Sequence, residues 1–275
     1  MELAVIISTY NSPEWLEKVL WGYQWQTFRD FGIYIADDGS TKETTDLIDA
    51  MRSKVFYPLH HIWHEDNGFR KCAILNKAIE ATHSDYIVFS DGDCIPRADF
   101  LAVHAKEKKA GHFLSGGYFK LPMDISKNIT LKGIEEQTCF RIAWLFRQGL
   151  KRSFKNNKLT ASGFKQWMLN NFTTTKATWN GHNASGWKKD IIAVNGFDER
   201  MRYGGEDREM GERMMNKGIV GKQIRYSAIC LHLDHPRGYV NEADLKMNND
   251  IRKITKRKKI TWTDFGIKKP MTINE

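Results

Sequence analysis

Residues 86–93 read YIVFSDGD. Tyr86 to Phe89 run without a polar break, and the chain then delivers Ser90 and two carboxylates, Asp91 and Asp93, split by Gly92. A short run that is apolar on both faces is the pattern of a strand buried inside a parallel sheet. In open α/β sheets the loop at the carboxyl end of such a strand is where ligands bind. Two carboxylates spaced i and i+2 there present hard oxygen ligands to one point, which suits Mg²⁺ or Mn²⁺. Taken alone, D-G-D is also ordinary turn composition.

The same plan repeats on the amino-terminal side of this stretch. Leu3 to Ile7 form a first buried strand, followed by Ser8-Thr9-Tyr10-Asn11 and then by a helix opened by Pro13 and running to about Gln26. A second strand, Gly32 to Ala36, ends in Asp37-Asp38-Gly39-Ser40. Ser40 and Glu43 have capping-box spacing, which predicts a helix from there to about Lys54. A third strand is expected near Leu59 to His64, and a helix from Phe69 to Ala81. Beyond Asp93, Pro96 is expected to open a further helix. This alternation is that of a doubly wound α/β fold with a mostly parallel sheet. Its topology brings the polar clusters after the first, second and fourth strands to one crevice.

With 275 residues and 41% hydrophobic content, the chain has enough apolar material for a large core. No repeat, low-complexity tract or linker divides it. Four widely spaced cysteines, Cys72, Cys94, Cys139 and Cys230, suit a reducing compartment and argue against a structural zinc site. The opening MELAVIISTYN lacks the basic-then-apolar plan of a signal peptide. No apolar run approaches the roughly 20 residues that span a bilayer. The net charge of +9 attracts polyanions. It is concentrated in residues 140–158 and in Arg252 to Lys269, either as solvated helix faces or as contacts with an anionic membrane. A nucleic-acid partner is not expected, because no recognised binding motif is present and unmetallated carboxylates at strand ends would repel phosphates.

The crevice lacks both glycine-rich phosphate cradles, G-x-x-x-x-G-K-[ST] and G-x-G-x-x-G. A diphosphate bound there would need a cation held by Asp91 and Asp93. The segments STYN, ADDGS, DNGFRKCAILNKAIEA and FSDGD, in this order, resemble the nucleotide-binding half of family 2 glycosyltransferases with the GT-A fold, a Rossmann-like α/β/α sandwich. The segment NGHNASGWKKDIIAVNGFDERMRYGGEDREMGERMMNKGI resembles the acceptor-side region of bacterial chondroitin-polymerase-type enzymes and β-1,4-galactosyltransferases.

The resemblance implies a UDP-sugar donor and the following roles. Thr9 and Tyr10, with Asn11 in the same loop, lie beside the uridine. Asp38, and Asp37 as its neighbour, hydrogen-bond the uracil, and Arg70 contacts the nucleotide. Asp91 binds ribose or metal, and Asp93 ligates the metal. Glu206 and Asp207 form the acceptor-site acidic pair, with Asp207 as the base of an inverting transfer. His232, or alternatively His235, completes the metal site, and an imidazole beside carboxylates favours Mn²⁺ over Mg²⁺. Gly205, after Gly204, lets the backbone approach a sugar. Tyr203 stands where galactosyltransferases carry tryptophan, a departure that bears on donor or acceptor preference. Trp187 is either a stacking platform for an acceptor sugar or a core residue. Asn183 and Asn180 either hydrogen-bond sugar hydroxyls or make turns.

The expected organisation is one GT-A catalytic domain: a nucleotide-sugar half (1–120), a helical insertion (121–177), an acceptor half (178–240) and a basic tail (241–275). The expected acceptor is a saccharide or lipid-linked saccharide, met in the cytoplasm or on the inner face of the plasma membrane. A sugar nucleotidyltransferase and a non-enzymatic polyanion-binding protein are the alternatives. The first should carry a glycine-rich first loop, where this chain has STYNSPEWLEK.

Overall fold

In the computed structural model the described residues are 1–236 and 240–270. Residues 237–239 of the expected acceptor half and 271–275 of the expected basic tail lie outside them.

The buried apolar runs become strands. β1 (Leu3–Thr9), β2 (Phe31–Asp37), β3 (Leu59–Trp63) and β4 (Tyr86–Asp91) are joined by α1 (Pro13–Gln24), α2 (Lys42–Arg52) and α3 (Lys71–Ala81). All four strands pair in parallel in the order β3-β2-β1-β4. The other strands are β5 (Cys94–Pro96), β6 (His112–Ser115), β7 (Gly117–Lys120), β8 (Ala184–Trp187), β9 (Val220–Gln223) and β10 (Ile229–His232). β8, β6 and β9 extend the sheet to seven strands, with β8 antiparallel to both β4 and β6. β5, β10 and β7 form a separate three-stranded sheet.

Strand alternation sorts the core into two layers. Leu3, Val5 and Ile7 face the layer containing α1 and α2, while Ala4 and Ile6 face the one built on α3. Trp179, Met210 and Met214 join the second layer. The result is an α/β/α sandwich with a mostly parallel sheet, as expected from the sequence.

The remaining helices are α4 (Phe100–Glu107), then α5 (Met123–Asn128), α6 (Leu131–Glu135), α7 (Ile142–Arg147), α8 (Asn157–Thr160) and α9 (Gly163–Asn171) of the insertion, then α10 (Lys188–Ile192), α11 (Glu206–Asn216) and α12 (Glu242–Arg257). Just past the end of α11, Gly218 has a φ of +93°, in the left-handed region that closes helices. Residues 242–257, expected as tail, form a helix that packs on α11. Among the described residues no helix is long and apolar enough to cross a membrane.

Two local expectations are corrected. Pro96 does not open a helix: it ends β5 opposite Cys230, and the next helix starts at Phe100. The backbone N–H of Arg97 still donates to the Ile229 carbonyl, so strand pairing holds the chain extended past the proline. Ser40 does not cap α2. Thr41 is the N-cap, the Ser40 N–H donates to Asp37 Oδ1, and the Ser40 hydroxyl accepts from the Asn11 N–H. The turn after β2 claims the groups that a capping box would need.

Candidate active site

A cleft of about 1000 Å³ opens where β1, β2 and β4 end. One wall is the loop Ser8–Ser12 with Asp38, Lys71, Asp91 and Asp93. The other is formed by His182, Tyr203 to Arg208, His232 and His235. Leu245, Asn249 and Arg252 of α12 close one side, a contribution hidden in a segment that reads as a basic tail.

On the first wall, the buried Thr9 hydroxyl meets no hydrogen-bond partner among the described residues. Tyr10 is half exposed and donates its phenol to Asp66 Oδ2. Asn11 has φ +45° and turns its side-chain oxygen to the Thr41 N–H. The Asp38 carboxylate accepts from the Arg70 N–H and lies 2.7 Å from His64 Nε2.

Two residues expected on this wall are not in the cleft. Asp37 is fully buried and committed to the Ser40 N–H and His61. It shapes the loop after β2. Arg70 is the N-cap of α3, with its side chain exposed and only its backbone facing Asp38. The next residue, Lys71, points inward and donates to Asp91 Oδ1 at 2.8 Å. Of the Arg-Lys pair, the phase of the helix start turns Lys71 rather than Arg70 toward the sheet.

The same Asp91 oxygen accepts from the Ser8 hydroxyl at 2.6 Å. Burial opposes its charge, but Lys71, His182 and these hydrogen bonds outweigh it and hold the carboxyl well below the ordinary carboxylate range. Next to it, Asp93 Oδ2 faces two imidazoles, His235 Nε2 at 3.0 Å and His232 Nε2 at 3.6 Å. The two rings stack at 16°. The Nδ1 of His232 lies 2.8 Å from the Leu233 carbonyl, and that of His235 lies 2.8 Å from the Pro236 carbonyl. Each carbonyl requires N–H at Nδ1, which in the neutral ring leaves a lone pair on Nε2 aimed at the carboxylate. Two lone pairs and an anionic oxygen converging on one point are a donor set suited to a divalent cation. Cys94 Sγ also lies within reach, but burial, then its neighbour Cys230, pushes that thiol well up and keeps it protonated.

His182 also lines the cleft, edge-on to Tyr118 at 4.6 Å. Burial pulls its imidazole down to about 4, so it is neutral at physiological pH. Sequence reasoning passed over it for its neighbours in NGHNASGW, and no spacing rule singles out one histidine in a loop.

On the opposite wall, Gly204 and Gly205 adopt φ of +110° and +91°. A β-carbon at Gly204 would lie 2.3 Å from Leu245 Cδ2. The positive φ is what requires glycine there. The turn starts α11 and puts both acids in its first turn. Glu206 accepts the Gly204 N–H, and burial followed by the Asp207 charge pushes its carboxyl up to about 7. Asp207 accepts the N–H groups of Gly181 and Arg208. Burial raises it above the ordinary aspartate range despite those bonds. Tyr203 lines the cleft, its ring edge-on to Phe69.

Trp187 and Asn183 lie outside the cleft. Trp187 pairs with Tyr86 at the start of β4, the opposite end of the strand from the cleft, and donates to the Lys109 carbonyl. Asn183 is fully buried, bonding the carbonyls of Gly117 and Ala228 and the ring of His104. Asn180 folds back to cap this turn by accepting the Asn183 N–H.

The family model described as glycosyl transferase family 2 matches residues 4–171. A second, described as the N-terminal domain of galactosyltransferase, matches residues 169–236. The chain is 22% identical to a chondroitin synthase of Escherichia coli over 90% of its own length and 37% of the relative's. It is 25% identical to a hyaluronan synthase of Pasteurella multocida over 94% of its length and 27% of that protein's. It thus spans about a third of these relatives. Among solved structures, S. aureus TarS 1-349 in complex with UDP-GlcNAc matches with a TM-score of 0.63 at 14% identity, over 94% of this chain and 69% of that one.

Proposed function

Because this chain belongs to glycosyl transferase family 2, we propose that it is an inverting enzyme that moves a hexose or N-acetylhexosamine from a UDP-sugar to a saccharide hydroxyl. The observation that carries this reading is the position of Lys71. Its ammonium touches Asp91 on the donor wall and feels the charges of Glu206 and Asp207 on the acceptor wall. A donor diphosphate and an acceptor hydroxyl held by those two groups meet within one cleft.

In this reading Thr9, Tyr10, Asn11 and Asp38 hold the nucleoside, and Asp91 the ribose. Asp93, with His232 and His235, would hold Mn²⁺ in preference to Mg²⁺, since the donor set mixes imidazole with carboxylate. When bound, the cation offsets charge on the departing diphosphate. Asp207 takes the proton of the acceptor hydroxyl as that oxygen bonds to the anomeric carbon and the bond from that carbon to the diphosphate oxygen breaks. Glu206 orients sugar hydroxyls, and Tyr203 and Gly205 bound the acceptor subsite. Lys71 supplies a fixed positive charge that needs no rearrangement during the reaction. The acceptor is a saccharide, free or lipid-linked, of the kind built into bacterial-type surface polysaccharide or lipo-oligosaccharide, and residues 1–275 act as one catalytic unit.

A panel of UDP-, GDP- and dTDP-sugars, incubated with Mn²⁺ or with EDTA, tests this by release of free nucleotide. Slow hydrolysis of one UDP-sugar, abolished by EDTA and by Asp93→Ala, is the expected result. Absence of both turnover and metal-dependent nucleotide binding across the panel would sink the proposal.

A further inference from the structure

α9 is built inside out. In a surface helix of a globular protein the apolar stripe faces the core and polar residues face water. Here the protein-facing side is polar. Gln166 donates to the Tyr226 carbonyl, while Asn170 accepts the Tyr226 N–H and donates to the Ser227 hydroxyl. The solvent side carries Phe164, Trp167, Met168 and, just past the helix end, Phe172. Phe164 is 75% exposed, Trp167 52% and Phe172 73%. The three rings form a continuous surface, Phe164 stacked on Trp167 and Trp167 edge-on to Phe172, each pair at 5.7 Å. Exposed apolar patches of this kind mark binding surfaces.

The charge around the patch selects the partner. From Gln137 to Lys189 the chain contains no aspartate or glutamate but ten lysines and arginines. Lys151, Arg152, Lys155, Lys165 and Lys176 are all exposed, and Phe154, 70% exposed, stands among them. A cationic surface with protruding aromatics is the composition that partitions into the headgroup region of an anionic bilayer. A protein partner would be expected to meet at least some carboxylates on this face.

We propose that α9 and the basic segment preceding it form a membrane-docking surface, in which Phe164, Trp167 and Phe172 enter the headgroup layer of an anionic bilayer and the surrounding lysines and arginines pair with its phosphates. The surface is distinct from the Arg252–Lys269 block. It is also coupled to the cleft. Lys158 of α8 donates to the carbonyl of Tyr118, a cleft residue, and the Tyr226–Ser227 turn that anchors α9 leads into β10, which carries His232. Docking there holds the cleft at the bilayer surface, where a lipid-linked acceptor would be met.

The test sediments the full chain with sucrose-loaded vesicles of phosphatidylcholine alone or with added phosphatidylglycerol, at low and raised salt. It compares the wild type with Phe164→Ser/Trp167→Ser/Phe172→Ser and with Lys151→Ala/Lys155→Ala/Lys165→Ala. The wild type is expected to bind the anionic vesicles, the aromatic variant about tenfold or more weakly at every salt concentration, and the lysine variant more weakly with a shallower salt dependence. Both variants are expected to keep metal-dependent nucleotide binding, which separates loss of docking from loss of fold or of the transferase site. As a milder probe, Trp167→Phe should bind vesicles but lose the blue shift of tryptophan emission that accompanies wild-type binding. Failure of the wild type to bind anionic vesicles overturns the proposal. So does equal binding by the aromatic variant, which would move the contact to Arg252–Lys269. A lipid-free dimer of the wild type, abolished in the aromatic variant, also overturns it in favour of a second copy of the chain.

Discussion

The Nζ atom of Lys71 lies 2.8 Å from Oδ1 of Asp91, and both side chains are largely shielded from bulk water. Burial works against the ammonium, but the charges of Asp91, Glu206 and Asp207 more than compensate and hold it above the ordinary lysine value of 10.5. Lys71 is therefore charged at every physiological pH and lies within the field of all three carboxylates. Lys71→Met should lower kcat by on the order of a hundredfold, the scale of removing one preorganised charge from a shielded site. Lys71→Arg should recover only part of that, because a planar fork does not reproduce a point charge in this space. Turnover within threefold of wild type in Lys71→Met would mean that the ammonium only balances charge in the folded chain.

Asn248, fully buried on α12, donates its side-chain amide to the carbonyls of Arg202, Tyr203 and Gly204. Those residues lead into the left-handed turn that presents Glu206 and Asp207. Asn248→Ala takes the amide donor away from three partly buried carbonyls and should cost about 1–3 kcal/mol of stability. It should also lower kcat for transfer more than it weakens nucleotide binding, since the donor wall is untouched. Equal loss of both, read by calorimetric nucleotide titration beside steady-state transfer, would make Asn248 a general support of the fold.

Strands β1, β2 and β4 were legible because they are buried on both faces and their apolar runs are therefore continuous, whereas the short β6, β8 and β9 carry no such run and were not foreseen. Asp38, Asp91, Asp93 and the Glu206–Asp207 pair were legible because strand ends and a helix start fix where they point. Arg70, Asp37, Trp187 and Asn183 were not, each for a different reason. The phase of α3 exchanges Arg70 for Lys71 in the cleft. Asp37 is consumed by its own turn. β8 runs antiparallel to β4, so Trp187 lands at the far end of the sheet. Asn183 ties together strands that are distant in sequence. The cleft-lining part of α12 was missed because its charged outer face dominates its composition.

Glu206 and Asp207 titrate as a pair, and both carboxyls are raised, by burial first. A base must be ionised to accept a proton. Activity should therefore be lost as pH falls through the raised values, placing the acidic limb of the kcat/KM profile above the ordinary carboxylate range of about 4. Asp207→Asn should reduce kcat for transfer by about 10²–10⁴-fold and remove that limb. An unshifted limb in Asp207→Asn, measured from pH 4.5 to 8 with saturating donor, would assign the base elsewhere.

Stability should depend on pH through His104, a residue that does not line the cleft. Its ring is fully buried, with Nε2 3.1 Å from Asn183 Oδ1 and Nδ1 2.7 Å from the Ser185 hydroxyl, which in turn lies 2.9 Å from the Tyr86 phenol. The Asn183 amide nitrogen already donates to two carbonyls, so its oxygen faces the ring and must accept Nε2–H. That leaves Nδ1 to accept from Ser185, and Ser185 to accept from Tyr86. Every proton in the chain has one place, and an added proton on Nδ1 would turn the Ser185 hydroxyl around. Burial accordingly pulls this imidazole from 6.5 down to about 4. The neutral form is the one the fold keeps, so its contribution is complete above 6.5 and lost as pH falls toward 4, where the unfolded chain binds the extra proton first. The difference corresponds to about 3 kcal/mol. His104→Gln, which keeps hydrogen-bonding ability but cannot titrate, should be less stable than wild type at pH 7.5 and lose less between pH 7 and 4.5. Urea midpoints at the two pH values measure this directly. Parallel losses in the two proteins would show that the acid sensitivity arises at other groups.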